Sequence, residues 1–187
     1  IALGELLFKM EREEEGIKEF KASVELFPQN FQAQIRLADW YFQKGLLDES
    51  LKSYKAAESI QPQNAEIQMR LGKIYADTKQ TKEAQEAFQK AANLNPDDGD
   101  SLLRLGKLLA GEKKFKEAQV PLERAVSLIA DNADVHYELA NAYFENSVLE
   151  SSLKEVKEAM GLAPKNSKYT LLLSKILSAR KEIDPAI

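Results

Sequence analysis

Apolar and polar positions along the chain follow two superposed periods. Over short windows apolar and small residues fall three and four apart, as in Leu71, Gly72 and Tyr75 and then Ala84, Phe88 and Ala91. That spacing draws one stripe along a helix of 3.6 residues per turn. Over long windows the whole pattern returns every 34 residues. Pro28, Pro62 and Pro96 are 34 apart, and Pro164 lies 68 beyond Pro96, with Ala130 in the vacant place. Two residues after each of these five sites stands Asn30, Asn64, Asp98, Asn132 or Asn166. A helix start leaves four backbone N–H groups unpaired, and a short side-chain oxygen accepts from one of them. The pattern therefore predicts a helix ending at each proline site, a two-residue link, and a capped helix after it.

Counted from the caps, the interior positions align. The seventh place is Leu3, Leu37, Leu71, Leu105, Leu139 and Leu173, and the eighth is always small: Gly4, Ala38, Gly72, Gly106, Ala140 and Ser174. The twentieth is also small, from Gly16 and Ser50 to Ala84, Ala118 and Ser152, and the twenty-fourth holds Phe20, Tyr54, Phe88, Leu122 and Val156. Small residues let two antiparallel helices approach, and large ones fill the space between layers. One such pair cannot bury its stripe alone, whereas stacked pairs can. These residues resemble the tetratricopeptide repeat family, with its 34-residue helix–turn–helix unit. The resemblance implies an all-α fold, a right-handed superhelical solenoid of antiparallel helix pairs, over a single array 1–187. The expected division is a partial repeat 1–30, full repeats 31–64, 65–98, 99–132 and 133–166, and a last segment 167–187. That segment reads either as a capping helix or as a truncated sixth repeat, with Ala186 on the small twentieth place. Ile1 falls on the fifth place, so both ends are expected to cut through repeats and to allow self-association there.

Composition narrows the chemistry. With 44% hydrophobic and 30% charged residues the chain can bury a core, so wholesale disorder is excluded. No apolar run is long enough to span a membrane. Thiolate chemistry and disulfides are excluded by the absence of cysteine, which leaves the compartment undetermined. A net charge of -4 and the fixed 34-residue period argue against nucleic acid as a partner. The one histidine, His136, stands at the fourth place and reads as a packing residue, as does Trp40 at the tenth. Pro121 falls inside the second helix of its repeat, where a mild kink is expected. No phosphate loop, zinc-protease motif or nucleophile elbow occurs, so no catalytic residue, metal or cofactor is expected.

The polar set with the most regular placement is cationic. Arg36, Arg70 and Arg104 share the sixth place, and Lys73 and Lys107 share the ninth. The resemblance implies that these places face a concave groove that binds peptides or helices. Stacked there, the five cations form a ladder suited to an acidic partner, because arginine can grip a carboxylate with two hydrogen bonds. The alternative is surface pairing, since Glu66 and Asp100 precede Arg70 and Arg104 by four residues. Arg36 has Gln32 in that place and is expected to be the least neutralised. Phe42 at the twelfth place and Asn141 at a ninth complete the candidate groove. The carboxylate clamp of heat-shock co-chaperones is not matched, because the fifth places are Ile35, Met69, Leu103 and Tyr137. The asparagine ladder of O-GlcNAc transferase is not matched either. The resulting expectation is a non-catalytic protein-interaction scaffold. A self-assembling module and a targeting region of a longer enzyme are its rivals.

Overall fold

The computed structural model describes residues 2–183, with side chains through Lys181, so Ala186 lies outside the described residues. The chain forms two compact units, divided between Leu94 and Asn95. The first holds α1 (Ala2–Lys9), α2 (Glu13–Leu26), α3 (Phe31–Gln43), α4 (Leu47–Ile60), α5 (Ala65–Asp77) and α6 (Thr81–Leu94). The second holds α7 (Gly99–Gly111), α8 (Phe115–Leu128), α9 (Ala133–Glu145), α10 (Leu149–Leu162) and α11 (Ser167–Ile183). The described residues contain no strand. Within each unit every helix packs on the next in sequence, and odd-numbered helices alternate with antiparallel even-numbered partners. The all-α architecture of helix pairs read from the sequence is the one observed.

Helix starts follow the cap chemistry. Asn30, Asn64 and Asn132 accept from the N–H groups of Ala33, Ile67 and Asp134, and Asp98 accepts from Asp100 and Ser101. Asn166 accepts from Lys168 at 3.2 Å. The turns inside the pairs share a second device that the sequence conceals. Glu11, Gly45, Lys79, Lys113 and Ser147 all have φ between 60° and 73°, and they too are 34 apart. Only one of the five is glycine, although this left-handed region disfavours a Cβ.

The helix pairs close by two alternative contacts at the eighth place. Where it is glycine, the large residue of the facing helix occupies the space of a side chain. A Cβ on Gly72 would stand 2.7 Å from the Phe88 ring, and one on Gly106 would stand 2.4 Å from Leu122 Cγ. Where it is alanine, the twentieth place is serine. The hydroxyls of Ser50 and Ser152 donate to the carbonyls of Ala38 and Ala140 at 2.8 and 2.7 Å. Both arrangements bring the helices close, one by omitting a side chain and one by a buried hydrogen bond. Pro121 is buried in α8, and the helix continues through it. In the second unit α11 buries Tyr169, Leu172 and Ile176 and leaves Leu171 and Leu177 exposed.

Candidate functional site

The predicted cations stand on the odd-numbered helices. In the first unit α3 carries Arg36, and α5 carries Arg70 and a half-buried Lys73; in the second, α7 carries Arg104 and Lys107. Two of the arginines make the expected contacts within their own helices. Arg70 Nη2 lies 3.4 Å from Glu66 Oε1, and Arg104 Nε donates to Asp100 Oδ2 at 3.0 Å.

A second set of pairs crosses between helices. Arg36 donates to Glu5 on α1 at 2.9 Å. Arg70 Nη1 lies 3.8 Å from Asp39 on α3, and Lys107 Nζ lies 3.5 Å from Glu138 on α9. Each partnership joins the ninth place of one repeat to the sixth of the next, 31 residues away. Arg36, which has no acid four residues before it, is paired all the same, its acid coming from the preceding odd-numbered helix rather than from its own. These contacts are half-exposed, where ion pairs contribute about 0–1 kcal/mol each. Their larger effect is to balance charge on this face. Burial pushes the Glu138 carboxyl above the usual range, with Lys107 opposing the shift. Burial also pushes the Tyr54 phenol far up, reinforced by its hydrogen bond to Asp39.

Between α1, α2 and α3 the first unit opens a cavity of about 480 Å³. Phe8, Phe20 and Trp40 supply its apolar lining, while Glu5, Glu13 and Asp39 face Lys9 and Arg36 along its walls. Trp40, expected in the core, is half-buried here, edge-on to Tyr41 with ring centroids 5.3 Å apart. Lys44 sits 5.8 Å from its ring and 3.6 Å from Glu13. A smaller cavity of about 130 Å³ opens between α3 and α5, where Asp39 and Arg70 meet Ile35 and Ile67. Asp39 lines both. Phe42 is half-buried and packs on the cluster of Ala38, Tyr54, Ile67 and Leu71. It fills space between helices. Asn141 is half-buried on α9 in the second unit.

His136 is buried as expected, but it is also bonded at both ring nitrogens, to Glu155 at 2.7 Å and to the Ala130 carbonyl at 2.9 Å. Among the described residues no cluster of His, Asp and Glu could hold a metal ion, and no helix is long and apolar enough to cross a membrane.

Comparison with known proteins fits this geometry. Profiles described as tetratricopeptide repeat match residues 1–30 and 65–98, and one described as TPR repeat matches 38–79. The chain belongs to the tetratricopeptide repeat family. No curated protein sequence matches it. Among solved structures, this tetratricopeptide chain is similar to a crystal structure of MamA, with a TM-score of 0.79 at 21% identity, covering 90% of this chain and 99% of that one. It is similar to YrrB, described as a TPR protein with an unusual peptide-binding site, with a TM-score of 0.79 at 22% identity over 97% and 90% of the two chains. A MamA fragment from Desulfovibrio magneticus RS-1 aligns with a TM-score of 0.75 at 24% identity, covering 81% of this chain and 85% of that one. At these identities the likeness is one of fold.

Proposed function

We propose that this tetratricopeptide chain is a scaffold without catalytic activity of its own, built from repeats at 31–64, 65–98, 99–132 and 133–166. It holds a partner segment along the odd-numbered helices of the first unit. Members of the family bind protein or peptide partners, and YrrB, which shares the fold, has a peptide-binding site. The observation that carries the reading is the 480 Å³ cavity, where the half-buried rings of Phe8 and Trp40 stand among Glu5, Lys9, Glu13 and Arg36. Two accessible rings in a recess of this size offer a seat for an apolar anchor, and such anchors dominate interface energies.

The surrounding charges refine the partner. Arg36 and Arg70 already face Glu5, Asp39 and Glu66, so an acidic segment would have to compete with carboxylates of the chain itself. An amphipathic segment with an aromatic or branched aliphatic anchor suits the cavity better than a strongly acidic one. Peptides selected on the wild-type protein separate the two. Trp40→Ala is expected to weaken their binding by about 30-fold, the loss of a roughly 2 kcal/mol anchor. Arg36→Ala with Arg70→Ala is expected to change it by less than about fivefold, within the range of exposed pairs. The opposite order of effects would make the cations the recognition element.

A further inference from the structure

The second unit contains a buried polar assembly that the packing of repeats does not require. His136 is 6% exposed and Glu155 8% exposed. The ring's Nδ1 lies 2.7 Å from Glu155 Oε2 on α10, and its Nε2 lies 2.9 Å from the Ala130 carbonyl in the turn before α9. A neutral imidazole has one N–H donor and one bare nitrogen. The carbonyl can only accept, so Nε2 must donate to it. That leaves Nδ1 and Oε2 facing each other across 2.7 Å, a contact that holds only with a proton between them. Without that proton, a ring lone pair opposes a carboxylate in a site from which water is largely excluded.

The same reach occurs once more, without the proton. Gln34 occupies the equivalent fourth place of its repeat, and its Nε2 donates to the Pro28 carbonyl at 3.2 Å, again six residues back. Tying the turn to the following helix is thus a task that a neutral amide performs. At His136 the tie is joined to a titratable pair. It also lies in the repeat where Ala130 stands in place of the proline.

We propose that His136 and Glu155 form a proton-dependent staple that fastens the turn at 129–132 and α10 to α9. With the shared proton in place, both ring contacts form and the turn is held. When that proton leaves, one contact must open and the turn loosens, because Nδ1 and Oε2 then oppose each other as two acceptors. Other charges surround the pair. Lys154 on α10 lies 3.9 Å from the second Glu155 oxygen. Tyr143 on α9 also senses Glu155; it is pushed up to about 12, chiefly by burial and by its bond to Glu123 of α8. Asn132, in the same turn, caps α9 by accepting from Asp134. Loosening the turn therefore acts on the start of the helix that carries Glu138 and Asn141.

The chain has a single histidine, so ring nitrogen signals in an NMR titration assign themselves. Amide-exchange protection factors at 129–136 are followed over the same pH series. As the ring loses its second proton, those amides should lose protection roughly tenfold or more, the scale of an opened buried hydrogen bond. His136→Gln, which restores the Gln34 arrangement, should show no such step, and Glu155→Gln should be flat as well. A ring that gives up its proton while the turn stays equally protected would overturn the proposal. So would the same step persisting in His136→Gln, and the wild-type titration decides the matter even should a variant fail to fold.

Discussion

Phe88→Ala is expected to lower the unfolding free energy by about 3–5 kcal/mol, the range for removing a fully buried aromatic ring. The ring is 1% exposed and lies in the space where Gly72 has no side chain. It fills the space beside Gly72 where α5 and α6 approach, so its loss leaves a cavity between the two helices. A variant restoring volume from the other side, Gly72→Ala with Phe88→Ala, should recover only a small part, because one methyl group replaces a ring. Urea denaturation followed by circular dichroism measures both. A loss below about 1 kcal/mol for Phe88→Ala would mean that α5 and α6 do not meet at this ring.

Leu71→Ala should cost about 2–5 kcal/mol by a different route. Leu71 is 2% exposed in a cluster with Ala38, Tyr54, Ala57, Ile67, Ile74 and Ala87, which come from α3, α4, α5 and α6. It therefore joins one repeat to the preceding one, whereas Phe88 closes a single repeat. In a repeat protein, stability is approximately a sum of within-repeat and between-repeat terms. Loss of Leu71 should accordingly uncouple α3 and α4 from α5 and α6, broadening the urea transition as well as lowering its midpoint. A sharp, merely shifted transition would place Leu71 inside one cooperative element.

The parts of this fold that are legible in the sequence are those set by local chemistry. The caps at Asn30, Asn64, Asp98, Asn132 and Asn166 are legible because the oxygen and the N–H groups it meets are two or three residues apart. The small eighth and twentieth places are legible because helix approach demands them in every copy. The left-handed turn residues are hidden because Glu11, Lys79, Lys113 and Ser147 tolerate a conformation that only Gly45 advertises. The charge pairs on the odd-numbered helices are hidden for another reason. Spacings of three and four reveal partners within a helix, whereas Glu5 with Arg36, Asp39 with Arg70 and Lys107 with Glu138 are 31 apart. Their signal is a spacing of the repeat length minus three. The fourth place carries a similar signal in Gln34, Gln68 and His136, three polar residues at a position read as packing.

In the proposed mode of binding the partner's anchor sits at the cavity between α1, α2 and α3, on aromatic rings set among paired charges. The chain's single tryptophan, Trp40, lines that cavity and reports on it directly. A selected peptide should be titrated into the protein while the Trp40 emission is recorded, first at about 0.05 M and then at about 0.5 M salt, conditions that differ severalfold in screening length. The expected result is a saturable shift in emission and an affinity that changes by less than about threefold between the two conditions. Binding that leaves Trp40 emission unaltered, or that weakens by more than about tenfold in high salt, would contradict this mode of recognition and return it to the cations.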